Sequence, residues 1–365
     1  MKYAIVTTTI NVPVLLAKYI DDVKKHKRDC FFVVIGDKKT PPEAKTYCEQ
    51  LGKKKGVEMI FMDVADQEVY LKRFPELAAH IPWNCIMRRN IGILHAYEKG
   101  AETIITIDDD NFFLSKDFAG LHTVGARKKL DVIASHTKWF NVCSFLKEEF
   151  GREFYHRGFA PEKRHVKEKL TSSKKEMKVV VNAGFWLGDP DVDALTRLYY
   201  HSKPITAVDY KRKNNFTLAK GTWSPFNSQN TSLAREVIPA YFLSPMVGRY
   251  DDIWGSYVLK KITDHLGDAV TFGFPIVDQK RNPHNYWKDL AMEWDGMDLT
   301  SRFVNALTRI KLNKKTYGEC YQEIASALEK ELKLSELKSD THKAFCSNYI
   351  DGMRVWIKTF DRLKV

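Results

Sequence analysis

A chain of 365 residues with 44% apolar and 12% aromatic content can bury a substantial core, which excludes an intrinsically disordered protein. A net charge of +12 favours polyanionic partners, but the lysines lie in dispersed groups interleaved with acids, the pattern of solvated faces and not of a nucleic-acid stripe. Six cysteines without a Cys-x-x-Cys pair or a histidine cluster argue against zinc and fit reduced thiols in the cytoplasm, and no window suits a signal peptide or a membrane span.

In chain order, short apolar runs at 4–7, 30–35, 57–62 and 103–107 read as strands, separated by helical periodicity at 14–27, 42–55 and 84–99. This alternation predicts βαβ units, a mostly parallel sheet and ligands at the carboxyl ends of the strands. Beyond residue 130 the pattern is mixed, with strands expected at 132–135, 179–186 and 270–274, a mobile charged loop at 147–178 and a helix at 253–265. From 299 onward the pattern is almost wholly helical, with Ile324, Ala327, Leu328 and Leu332 as an apolar stripe.

The fourth strand breaks off into Asp108-Asp109-Asp110-Asn111. Strand alternation would turn Asp108 and Asp110 to one side and Asp109 to the other, so two carboxylates converge at a strand end. Such a pair can hold Mg2+ or Mn2+, which fill their remaining positions with water and the phosphate oxygens of a nucleotide. A polar loop capping the next helix is the plainer reading of an isolated acidic triplet.

Four further segments accompany it: Ile5-Val6-Thr7-Thr8-Thr9-Ile10-Asn11, Val33-Val34-Ile35-Gly36-Asp37-Lys38-Lys39-Thr40-Pro41, Pro82-Trp83-Asn84 leading to Arg88-Arg89-Asn90-Ile91-Gly92, and Gly248-Arg249-Tyr250-Asp251-Asp252-Ile253-Trp254. Gly184-Phe185-Trp186-Leu187, Asn227-Ser228-Gln229-Asn230 and Arg281-Asn282-Pro283-His284-Asn285-Tyr286 add to the series. In this order the motifs resemble the reversibly glycosylated polypeptide family, whose plant members interconvert UDP-arabinopyranose and UDP-arabinofuranose, and the related STELLO-type glycosyltransferase domain. The resemblance runs over roughly residues 3–295. It implies an α/β GT-A fold, Rossmann-like, with a catalytic body at 1–298 (nucleotide-binding half 1–125, acceptor half 126–298) and a helical extension at 299–365.

On that fold, Thr7, Thr8, Thr9 and Asn11 form a turn under a nucleoside, and Asp37 can accept from ribose hydroxyls or a base N–H, although ordinary turn chemistry explains each singly. Arg88 and Arg89 are adjacent on a helix, so one is expected to fork a phosphate pair, Arg89 ahead of Arg88, while the other is a surface charge or binds Asp109. Asp251 and Asp252 cap a helix and offer a carboxylate base for an acceptor hydroxyl, Asp252 first by analogy with inverting GT-A enzymes. The implied GT-A fold often completes its metal shell with a late histidine, for which His284 is the candidate, with phosphate contact or no role as alternatives; the plant mutases instead carry a histidine before their Asn-Pro, where this chain has Asp278 and Gln279. Arg157-Gly158-Phe159 and Arg164 partly match the segment involved in the family's reversible self-glycosylation, but the preferred reading is a basic loop in which Arg157 or Arg164 covers the diphosphate.

The expected function is a glycosyltransferase dependent on Mn2+ or Mg2+ that moves a sugar from a UDP-sugar to a glycan or other hydroxyl acceptor. A UDP-sugar pyranose/furanose mutase is the alternative, and a non-catalytic basic nucleotide-sugar-binding scaffold the second. Nucleic acid is not an expected partner, while peripheral membrane contact and homo-oligomerisation stay open.

Overall fold

A computed structural model describes residues 1–363 of the chain, and Lys364 and Val365, the end of the expected extension, lie outside the described residues. The first third builds β1 (Lys2–Thr8), α1 (Leu16–Lys25), β2 (Asp29–Ile35), α2 (Glu43–Lys55), β3 (Met59–Met62), α3 (Val64–Leu71), α4 (Pro75–His80), α5 (Arg89–Glu98) and β4 (Thr103–Ile107). The strands lie in the order β3-β2-β1-β4, all parallel, as the βαβ pattern predicts. Residues 104–107 of β4 and 31–35 of β2 are buried continuously, the signature of strands covered on both faces. Helix α5 lies close on this sheet because Gly92 has no side chain: a Cβ there would fall 2.6 Å from Val6 Cγ1. That approach carries Arg88 and Arg89 to the strand ends.

The chain continues through β5 (Asn111–Phe113), α6 (Phe118–Leu121), β6 (Arg127–Ser135), β7 (Leu146–Glu148), β8 (Leu170–Gly188), α7 (Ala194–Tyr199), β9 (Ala207–Tyr210), β10 (Phe216–Leu218), β11 (Asn230–Ala234), α8 (Asp251–Leu266) and β12 (Ala269–Gln279). Here the parallel expectation gives way to a mixed sheet. β11 runs antiparallel to β4 and β8, β6 is antiparallel to β8, and the β8–β12 and β6–β10 pairs are parallel. A parallel pair needs a long crossover, and between β5 and β11 the helices α6 and α7 have only 4 and 6 residues.

The charged stretch 147–178 is not a mobile loop. Phe154, Tyr155, Phe159 and Ala160 are core residues, and Leu170 to Lys178 forms the first half of β8, paired with β6 from Ser135↔Leu170 to Arg127↔Lys178. This half of β8 is solvated, so its sequence lacks the alternation that marks a half-buried strand.

Three helices close the fold: α9 (Tyr286–Arg309), α10 (Tyr317–Leu332) and α11 (Asp340–Leu363). The helical region begins at Tyr286, ahead of residue 299, because the Asn285 side chain caps it by accepting from the Lys288 N–H at 3.1 Å. Trp254 of α8 stacks on Phe303 of α9 at 4.0 Å and meets Phe345 and Tyr349 of α11 edge-on. Ile324, Leu328 and Leu332 are buried and Ala327 half-buried, so the expected stripe faces the core. Helices α9 and α11 thus share a packed core with α8. The six cysteines are unpaired, and among the described residues no helix is long and apolar enough to cross a membrane.

Candidate functional site

A cleft of ≈ 540 Å³ opens over the carboxyl ends of β1, β2 and β4 and is walled on its far side by the start of α8 and the segment after β12. Twelve of the expected residues line it: Thr8, Thr9, Asp37, Arg88, Arg89, Asp108, Asp109, Asp110, Arg157, Asp251, Asp252 and His284. Three do not. Thr7 is enclosed in the sheet, Asn11 is exposed beyond the turn, and Arg164 is drawn aside by Asp193 at 2.7 Å and the Phe159 carbonyl at 3.1 Å.

The acidic triplet is not a continued strand. β4 ends at Ile107, and the Asn111 N–H turns back to the Asp108 carbonyl at 3.3 Å, so each carboxylate finds its own partner. Asp108 accepts from Arg89 Nη2 at 2.5 Å, Asp109 from the Thr9 hydroxyl at 2.6 Å, and Asp110 from Gln279 Nε2 at 2.8 Å and the Asn282 N–H at 3.3 Å. Burial and the neighbouring charge of Asp108 push the Asp110 carboxyl up to about 6, against the opposing charge of Arg281. Burial also raises Asp109.

Neither of the paired arginines is a surface charge. Arg88 lies over the Trp83 ring at 3.3 Å and donates to Gln67 at 2.6 Å, and burial lowers its pKa. Arg89 is fully buried and binds Asp108, not Asp109, while its Nη1 donates to the carbonyl and hydroxyl of Ser228 at 2.9 and 3.0 Å.

Ser228 continues the chain of contacts to α8. Its N–H and hydroxyl donate to Asp252 at 2.9 and 3.2 Å, and Arg157 Nη2 adds a third donor at 3.2 Å. Arg157 is otherwise spent on both oxygens of Asp191, at 3.0 and 3.1 Å, and on the Arg249 carbonyl. Burial opposes the charge of Asp191, but Arg157 outweighs it and holds that carboxyl well below the usual range. Asp251 differs from its neighbour. It lines the cleft, and burial together with the Asp252 charge pushes it up to about 8.

Sequence reasoning left Ser228, Gln229, Gln279, Asp191 and Arg281 without roles. Gln229 donates to Gln279 at 2.7 Å, and Gln279 in turn to Asp110. The run Asn227-Ser228-Gln229-Asn230 carried the signal: four polar residues that the fold buries must find partners, and these residues stitch the triplet to α8.

A divalent ion fits the cleft in part. Asp108 and Asp110 both face it and repel one another, a conflict that a cation relieves. Among the described residues, however, no three His, Cys, Asp or Glu side chains converge on one point, and His284 is held by Asp289 at 2.9 Å instead of joining the pair. The donor set suits Mg2+ or Mn2+ that keeps water and phosphate oxygens, not an ion caged by protein alone.

The chain is similar to several plant enzymes. It is 30% identical to UDP-arabinopyranose mutase 1 of Arabidopsis thaliana over 273 residues, covering 71% of this chain and 69% of that one. Identity to UDP-arabinopyranose mutase 1 of Oryza sativa subsp. japonica is 28% over 274 residues, with 71% and 68% covered. Among solved structures, a mannosyltransferase from Pyrobaculum calidifontis in complex with GDP-Man and Mn2+ aligns over 99% of this chain and 84% of that one at 10% identity, with a TM-score of 0.44. The family model for reversibly glycosylated polypeptides matches residues 63–365, and the chain belongs to that family.

Proposed function

We propose that the cleft binds a UDP-sugar and breaks the bond between its anomeric carbon and the diphosphate. The observation that carries this reading is the meeting of the carboxylates after β4 with Asp251 and Asp252 across one cleft, linked by Arg89 and Ser228. Asp108 and Asp110 would hold Mg2+ or Mn2+, which supplies positive charge against the leaving diphosphate. Thr8, Thr9 and Asp37 lie at the nucleoside end.

Pyranose/furanose isomerisation takes first place, ahead of the transfer expected from sequence, because the plant relatives are named for it. In that chemistry the anomeric bond breaks and forms again, and a proton moves from the hydroxyl that closes the new ring to the oxygen released from the old one. Asp251 is our choice of carrier. Its raised pKa suits proton exchange near neutral pH, whereas Asp252 is occupied by three donors. Transfer to an acceptor hydroxyl is the second reading. It is favoured by Arg157 and Arg164, both tied to carboxylates and so poor carriers of a self-bound sugar.

Incubation with UDP-arabinopyranose and Mn2+, followed by NMR of the products, separates the two. An isomeric nucleotide sugar supports the mutase, and free UDP with a glycosylated acceptor supports transfer. Intact substrate across a panel of UDP-sugars and acceptors would contradict both and favour a binding scaffold.

A further inference from the structure

We infer that Arg281 is a diphosphate-binding residue of the cleft, an inference that rests on the nucleotide-sugar reading above. Arg281 follows β12 in a segment fastened to the acidic triplet: the Lys280 N–H donates to the Asp110 carbonyl at 3.1 Å and the Asn282 N–H to the Asp110 carboxylate at 3.3 Å. Its guanidinium therefore lies where its charge acts on both Asp110 and Asp191.

The side chain is only 10% exposed, yet its hydrogen-bonding capacity is barely used. Among the described residues its ion-pair partner is Asp189, at 3.2 Å from Nε, and Asp189 is already engaged by Arg197 at 2.6 Å. Nε and Nη2 are buried without a hydrogen bond. Buried guanidinium donors rarely stay unmet, because each lost hydrogen bond to a charged group is expensive.

The other arginines of the cleft are committed elsewhere. Both terminal nitrogens of Arg89 serve Asp108 and Ser228, Arg157 serves Asp191 and Asp252, and Arg249 donates to Glu293 at 2.8 Å. Arg88 also has an unmet nitrogen, but it is stacked on Trp83 beside the Asp37 turn. Arg89 leaves its Nε unmet beside Asp108, but both of its terminal nitrogens are used; among the described residues of the cleft, Arg281 is the arginine that keeps an unmet terminal nitrogen, Nη2, beside the acidic triplet. The ligand that completes it is an anionic oxygen, and the planar fork of guanidinium matches two oxygens of a phosphate. A diphosphate laid against three aspartates needs such a counter-charge, and a donor there strengthens its hold as the leaving group gains charge.

Calorimetric titrations of UDP, UMP and uridine in Mn2+, on wild type, R281Q and R281K, test the assignment. In R281Q, UDP affinity is expected to fall at least tenfold while uridine affinity stays within twofold, and R281K, which keeps charge but loses the fork, is expected to lie between. Equal UDP affinity in R281Q and wild type would overturn the inference alone, as would parallel losses for UDP and uridine, the mark of a structural arginine. Failure of wild type to bind UDP would instead overturn the nucleotide-sugar reading and the inference with it. Should R281Q not fold, as judged by thermal unfolding, R281K decides: a loss confined to UDP supports the inference, and no loss overturns it.

Discussion

Ser228 turns both its N–H and its hydroxyl onto a single carboxylate oxygen of Asp252, at 2.9 and 3.2 Å. That oxygen is saturated, and the adjacent Asp251, which has fewer donors, becomes the carboxyl free for proton exchange. The two aspartates thus divide one dipeptide into an anchor and a reactive group. Asp251→Asn is predicted to lower kcat about 10²–10⁴-fold with little change in nucleotide affinity. Wild-type kcat/KM should rise as pH approaches about 8, where Asp251 loses its proton, and this limb should flatten in the variant. Equal pH profiles would contradict the assignment.

Stability should move the other way. Because the folded-state pKa of Asp251 is raised above the unfolded value of 3.8, the native state holds a proton that the unfolded chain has lost. Its contribution is therefore fully present below about pH 4 and is lost as pH rises through about 8. Asparagine has no proton to lose, so Asp251→Asn should match wild type near pH 4 and exceed it by up to about 6 kcal/mol above pH 8. Chemical denaturation across that range is the check.

Arg157 neutralises Asp191 and Asp252 inside the protein. Arg157→Met should destabilise the fold by about 3–5 kcal/mol, since it strands two buried carboxylates. The triple variant Arg157→Met, Asp191→Asn, Asp252→Asn should recover a large part of that loss. A single variant as stable as wild type would mean that the pairs are not sustained in solution.

The helical tail shares the core of the catalytic body through the Trp254–Phe303 stack, and Trp356 of α11 donates to the Ile238 carbonyl at 3.1 Å. Trp254→Ala should therefore cost about 3–5 kcal/mol. A chain ending before α9 should not unfold cooperatively, whereas cooperative melting of that fragment would mark the tail as a separate unit.

Local signals in the sequence reached as far as local physics extends. β4 and its carboxylates were legible because a β-branched run ended in acids, and the parallel half because apolar runs alternated with amphipathic helices. The pairing of Leu170 to Lys178 was not, since a strand solvated along its length leaves no apolar period. The contrast between the surroundings of Asp252 and Asp251 was not legible, because it depends on Ser228, brought in from another segment of the chain. Arg164 illustrates the same limit: its spacing from Arg157 is local, but its capture by Asp193 is tertiary.

Calorimetric titration of UDP, with and without Mn2+, on wild type and Asp110→Asn tests the central claim most directly. The account predicts binding that Mn2+ strengthens in wild type and a loss of at least tenfold of that strengthening in the variant. Absence of UDP binding in wild type, or Mn2+-dependent binding that the variant keeps intact, would contradict it.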